Sequence, residues 1–376
     1  MAEKELAAQV EATRAKNGTV IILQPHTGDI LAMALYPFFD PNDFRNPAQL
    51  LRHRNRAVID PVEPGSTFKL VVAAANLEEQ LVRPNDTLFC EKGVWVKNGR
   101  RLRDHEPYGW LRFAEVIEHS SNICTVKLSE RLSSFLFYHY MRRFGFGEKT
   151  MVDLPGEDAG QLRAPQHWSR FSHASLAIGQ EIAVTPIQLV AAYAAVASGG
   201  RLMRPRMVER IVDGDNIRDF PSEVRRQILS PQTAEMLRAV FAGVVERGTG
   251  KPAALEGYTV GGKTGTAQKA VRGGYSHSKI VASFVGFVPV EDPQLVMLVM
   301  IDEPQISRWG SQAAGPVFRR IAQEALRYLQ VPPHVARPLT VTASTNSTAS
   351  AQQSGVQGGI TPVVAKAGQP LASTRD

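Results

Sequence analysis

The chain has 376 residues, 43% of them hydrophobic and 21% charged, an ordinary globular composition with enough length for one large domain or two smaller ones. A formal net charge of +7 and a pI near 9.5 suit an anionic polymer or surface as partner. No Lys/Arg run exceeds three residues, which argues against nucleic acid, and no apolar run reaches the roughly 18 residues of a membrane helix.

Residues 3–16 read as a polar helix, and the charged start lacks the apolar region of a signal peptide. GTVIILQPHTGDILAMAL then reads as two strands around a turn at His26–Asp29. Glu63-Pro64-Gly65 marks a turn, Ser66 takes a cap-like position, and an apolar helix runs on from it. Further along, Thr185-Pro186 and Ser230-Pro231 open helices that Gly199-Gly200 and Gly248 close. Strand patterns return in YTVGGKTGTAQK, KIVASFVGFVPV and QLVMLVMID, before a last helix, GPVFRRIAQEALRYL. Two strands begin the chain and three end it. The economical arrangement is an α/β (α+β) fold: one mostly antiparallel sheet built from both ends, with a helical insertion over roughly 70–250. From 332 to 376 Ser, Thr, Gln, Gly and Ala dominate, and such a segment buries too little surface to offset its ordering entropy, so a disordered tail is expected there. The organisation is thus a helical linker over 1–16, a folded domain over 17–331, and the tail.

The two cysteines, Cys90 and Cys124, make no C-x-x-C and no metal spacing with the scattered histidines. Two buried thiols are the plain reading, with a single disulfide left open. No metal or cofactor is implied.

Three short motifs carry chemistry. In Ser66-Thr67-Phe68-Lys69 the first and last residues share a helical face, so an amine approaches a hydroxyl. A lysine made neutral by burial or a nearby cation takes the hydroxyl proton, and the free N–H groups of a helix start suit a developing oxyanion. By itself the motif is weak: a capped helix with an exposed lysine looks the same, and Ser276-His277-Ser278-Lys279 repeats it between two strands. Ser120-Ser121-Asn122 offers a second hydroxyl for proton relay and an amide that both donates and accepts, although Ser344-Thr345-Asn346 matches it too. Lys263-Thr264-Gly265-Thr266 occurs once, in a strand-like segment. Lys263, Thr264 and Thr266 suit an anion such as a carboxylate, and the missing Cβ of Gly265 lets a ligand approach closely.

The ordered combination is far more specific than its parts, being the signature set of penicillin-binding proteins and class A β-lactamases. Longer stretches extend the likeness: RDHEPYGWLRFAEVIEHSSN, LAIGQEIAVTPIQLVAAYAAVASGG and GTGKPAALEGYTVGGKTGTAQK all resemble class B penicillin-binding proteins. So do SKIVASFVGFVPVEDPQLVMLVMIDEP and the lead-in DILAMALYPFFDPNDF. Ser120-Ser121-Asn122 is similar to the division-specific, FtsI-type members. The resemblance implies a five-stranded antiparallel sheet flanked by helices, plus an α-helical subdomain. It makes Ser66 the nucleophile, Lys69 its general base, Ser120 the proton relay and Asn122 a contact to the substrate amide. Lys263, Thr264 and Thr266 would bind the terminal carboxylate, and the backbone N–H groups of Ser66 and Thr266 would form the oxyanion hole. The implied partners are peptidoglycan stem peptides, β-lactam antibiotics and division-machinery proteins. Class B members also carry a membrane anchor and a pedestal domain upstream, so the native protein is expected to hold this domain outside the cytoplasmic membrane.

Other classes fit less well. Gly257 to Thr264 matches the P-loop pattern, but a P-loop must open a helix, and here a strand-like, glycine-bounded segment follows. A serine β-lactamase needs a device that activates water for deacylation, and no motif for one is present. A β-lactam sensor would need a signalling segment that the sequence lacks.

Overall fold

A computed structural model describes residues 1–333 apart from Phe44, 48–51 and 272–273. The tail expected over 332–376 therefore lies almost wholly outside the described residues.

The sheet elements are β1 (Asn17–Leu23), β2 (Ile30–Tyr36), β5 (Gly261–Val271), β6 (Gly274–Val288) and β7 (Leu295–Asp302), with β3 (Val94–Lys97) and β4 (Arg100–Arg103) forming a separate hairpin. The helices that matter here are α1 (Ala2–Ala12), α2 (Lys69–Glu78), α3 (Phe113–Glu118), α4 (Asn122–Ser129), α5 (Pro186–Ala197), α6 (Pro231–Glu246) and α7 (Gly315–Tyr328).

The five sheet strands run in the order β5-β6-β7-β1-β2, every pair antiparallel. Strands from both ends of the chain meet at β1–β7, in the register Val20↔Val299. Side chains alternate across a strand, and the two resulting faces enter two different cores. Ile21, Leu23, Val296 and Leu298 pack with α5 and α6, while Val20, Ile22, Met297 and Val299 pack with α1 and α7. Covered on both faces, the central strands read as continuous apolar runs rather than alternating ones. The helix expected over 3–16 ends at Ala12 and buries Leu6 and Val10 in the second core.

α5 is buried on every side, which its run of Ile, Leu, Val and Ala allows. It starts with a reciprocal cap: Gln188 N donates to Thr185 Oγ1 and Thr185 N donates to Gln188 Oε1. The insertion between the halves of the sheet is not purely helical. Short ribbons over 87–112 and 201–227 interrupt it. Cys90 and Cys124 form a disulfide, which replaces the plain reading of two thiols. The residues lie 34 apart, and only the fold-back of the 87–112 ribbon onto α4 brings them together.

Candidate active site

Ser66 sits on a 3₁₀ turn, Gly65–Phe68, that leads directly into α2. The spacing predicts Ser66 at the cap of an α-helix, and a 3₁₀ turn stands there instead. A 3₁₀ turn has three residues per turn, so Ser66 and Lys69 lie on one line along it. The turn is held closely. Gly65 N donates to Gly179 O at 3.1 Å, and a Cβ on Gly179 would stand 2.1 Å from Gly65 O, so only glycine fits at 179. Thr67 Oγ1 donates to Pro64 O at 2.7 Å, and the buried Tyr193 hydroxyl donates to Thr67 O at 2.8 Å.

Lys69 is fully buried. Its amine donates to Ser120 O at 2.6 Å, Ser120 Oγ at 3.1 Å and Asn122 Oδ1 at 2.7 Å. Burial pushes this amine down to about 7, and the Asp104 carboxylate partly opposes the shift. The first and second motifs therefore meet at one amine. Ser120 reaches it through its backbone. After α3, Ser121 N donates to Val116 O and Ser120 N to Ile117 O, the paired bonds of a Schellman helix end. That motif wants glycine at the left-handed position, yet Ser120 holds it with φ +59°. A serine in this conformation marks a side chain kept against a backbone cost.

Asp104 is a residue the sequence reading missed. Its carboxylate accepts from Ser121 Oγ at 2.6 Å, Asn122 N at 2.6 Å and Ile123 N at 3.0 Å, and so caps the start of α4. Arg103 O accepts from Asn122 Nδ2 at 3.0 Å. Arg103, at the end of the β3–β4 hairpin, thereby holds the side-chain amide of Asn122, and Asp104, the next residue, holds its backbone N–H.

The third motif lies on β5, at the edge of the sheet. Lys263 is fully buried and has one long contact, to Thr264 O at 3.4 Å. Burial, reinforced by the Lys69 amine, pushes its proton affinity well below the ordinary lysine range. Thr264 shares a hydrogen bond with Thr249 at 2.8 Å, and Thr266 Oγ1 accepts from Gly310 N at 3.0 Å. The space a side chain at Gly265 would need is taken by the protein itself. A Cβ there would stand 2.4 Å from Ser283 Oγ and 3.0 Å from a Thr67 methyl. Gly265 thus lets the sheet close on the Ser66 turn, a different use from the ligand approach expected of it. Lys263–Thr264 lies in a strand, so the helix a P-loop requires does not follow. The second Ser-x-x-Lys, Ser276 to Lys279, also lies in a strand.

A cavity of about 470 Å³ opens over these groups, with Ser66, Asn122 and Thr266 in its lining. Gln180 and Trp309 form other parts of the wall, and the Trp309 ring lies 5.3 Å from that of His105. Ser66 and Asn122 line this opening beside an edge strand, and the buried Lys69 amine, of lowered proton affinity, bonds Ser120 and Asn122. That set is equipped for acyl transfer through a serine ester.

A family model described as the penicillin binding protein transpeptidase domain matches residues 18–323. The chain belongs to that family. This transpeptidase domain is 37% identical to the stage V sporulation protein D of Bacillus subtilis over 338 residues, covering 88% of this chain and 52% of the relative. It is 35% identical to penicillin-binding protein PbpB of Mycolicibacterium smegmatis, covering 91% of this chain and 55% of that one. The chain thus spans about half the length of these relatives. Among solved structures, the transpeptidase domain of Burkholderia pseudomallei penicillin-binding protein 3 superposes with a TM-score of 0.79 at 34% identity, covering 89% of this chain and 95% of that one. The Mycobacterium tuberculosis penicillin-binding protein 3 complexed with aztreonam gives 0.84 at 32% identity, covering 91% and 79%. The five-stranded sheet expected from the resemblance is the sheet observed.

Proposed function

We propose that the chain is the catalytic portion of a peptidoglycan D,D-transpeptidase working through an acyl-enzyme at Ser66. Lys69 in its neutral form takes the Ser66 proton as the oxygen attacks the carbonyl of the penultimate residue of a stem peptide. The backbone N–H groups of Ser66 and Thr266 hold the oxyanion. The proton passes through Ser120 to the departing terminal residue, whose amide nitrogen leaves as an amine while an ester forms on Ser66. An acceptor amine then attacks the ester, gives up its proton by the reverse route, and leaves a new amide and a free Ser66. Asn122 contacts the substrate amide. The strand Lys263-Thr264-Gly265-Thr266 receives the terminal carboxylate, which restores the proton affinity that burial removes from Lys263.

One observation carries this reading. The buried Lys69 amine, pushed down to about 7, directly follows the Ser66 turn and bonds Ser120 and Asn122 of the second motif. The Mycobacterium tuberculosis relative, solved in complex with aztreonam, supports the class of activity. The Cys90–Cys124 disulfide suits an oxidising compartment outside the cytoplasm, where the wall is built. Ser120-Ser121-Asn122 supports a place in septal synthesis, alongside division-machinery proteins and on a membrane-tethered longer protein. The test is labelling with a fluorescent penicillin followed by mapping of the modified peptide. Ser66→Ala should abolish labelling and Ser276→Ala should leave it. Label on the Ser66→Ala protein would refute the assignment.

A further inference from the structure

Gln180 lines the catalytic cavity beside Ile178, on a segment whose course is fixed residue by residue. Gly179 O accepts from Gly65 N at 3.1 Å, Gln180 N donates to Ser175 O at 2.9 Å, and Glu181 N donates to Glu63 Oε1 at 2.9 Å. Glu181 takes a left-handed backbone, φ +60°, a cost that a non-glycine residue bears only where its surroundings dictate the path. The Gln180 side chain is held as firmly. Its Oε1 accepts from Arg100 Nη2 at 3.0 Å, while Arg100 Nη1 donates to Ser175 Oγ at 2.5 Å.

A glutamine amide has two ends of similar shape and opposite chemistry, one accepting and one donating. A guanidinium carries donors only, so the end that meets Arg100 has to be the oxygen. The Nε2 end is left free. It makes no hydrogen bond among the described residues and is not sealed inside the protein, so it opens on the cavity that Gln180 lines. Arg100 itself stands outside that lining. It begins β4, the strand whose last residue, Arg103, holds the Asn122 amide through its carbonyl. One short strand therefore sets the sense of two amides in the cavity.

In a trans peptide unit the N–H and C=O point opposite ways, so a donor amide whose N–H bonds the edge of β5 turns its carbonyl away from that strand. We propose that Arg100 is a positioning residue for the acyl transfer at Ser66: it turns the Gln180 N–H, rather than the Gln180 oxygen, toward this carbonyl of the acyl donor. The assignment rests on the acyl-transfer reading of Ser66. A carbonyl oxygen has two lone pairs, so Gln180 adds to the Asn122 contact instead of replacing it.

The experiment measures second-order acylation of Ser66 by benzylpenicillin, which carries that carbonyl in its side-chain amide, and by 6-aminopenicillanic acid, which lacks it. Gln180→Ala and Arg100→Met should each slow benzylpenicillin by about tenfold, the worth of one hydrogen bond, and leave 6-aminopenicillanic acid unchanged. The double variant should be no slower than Gln180→Ala alone, because Arg100 acts through Gln180. Gln180→Glu gives Arg100 a carboxylate to pair with and should melt no lower than wild type. It presents no donor, however, and should slow benzylpenicillin at least as much as Gln180→Ala does. Arg100→Met that slows both drugs alike, slows neither, or adds a further loss to Gln180→Ala overturns the assignment. If Arg100→Met does not fold, Gln180→Glu decides: a wild-type ratio of the two rates overturns the assignment, and a ratio lowered about tenfold upholds it. Failure of benzylpenicillin to acylate Ser66 in the wild-type protein overturns the acyl-transfer reading, and this assignment with it.

Discussion

Lys69 is an amine sealed from water, and its chemistry follows from that burial. An ordinary lysine keeps its proton at neutral pH and cannot act as a base, whereas this one is pushed down to about 7. The base must be neutral, so the rate of benzylpenicillin acylation should climb as pH rises through about 7 and level off above it. Stopped-flow acylation across pH 5 to 9 checks this; a flat profile would remove Lys69 from the base role. Lys69→Arg should abolish acylation at every pH, since a guanidinium stays protonated. Ser120 separates hydroxyl from backbone in the same way. Its left-handed φ of +59° costs any non-glycine residue about 1–2 kcal/mol. Ser120→Gly and Ser120→Ala should therefore lose acylation alike, because both lack the hydroxyl. Glycine should be the more stable of the two by about 1 kcal/mol in denaturant titrations, because it fits the Schellman position.

The elements around the site explain what was readable beforehand. The motifs carried Ser66, Lys69, Ser120 and Asn122 because their spacing is local. Two strands at one end and three at the other foretold the sheet, because runs such as QLVMLVMID are long and bounded by turns. The β3–β4 hairpin was missed because its strands are only four residues long, VWVK and RRLR, and bury just one residue between them, and Asp104 follows it without a motif of its own. The disulfide and the Gly65–Gly179 contact were also invisible, since each joins distant segments whose approach only the fold decides. Asp104 has a consequence that can be measured. Its carboxylate raises the proton affinity of Lys69 while it caps α4. Asp104→Asn should move the acylation profile to lower pH, because the desolvation of Lys69 then goes unopposed, and should also slow the plateau rate as Asn122 loses its support. A slower plateau with an unmoved midpoint would leave Asp104 a purely structural role.

At the scale of the whole molecule, the sheet edge, the helical insertion and the loops near Trp309 enclose a cavity that suits a peptide better than a water. A transferase and a hydrolase both form the ester at Ser66, and they part only at its fate. A hydrolase needs a base beside a bound water on the open face of the ester. Glu63 is the one carboxylate in the lining of the catalytic cavity among the described residues. One of its oxygens is occupied by Glu181 N and Tyr275, and its charge also borders a neighbouring cavity. Burial raises its proton affinity, which gives a potential base, but both its fixed bonds turn it to positioning. An acceptor amine, in contrast, arrives on a chain that the walls can hold, and orientation of that kind speeds attack far more than bulk water concentration does. The penicilloyl ester should therefore persist for many minutes once free drug is removed, when followed by intact mass against time. Loss of the adduct within seconds, with many molecules of hydrolysed penicillin per enzyme, would show that a water is activated at Ser66 after all and that the site is a hydrolase.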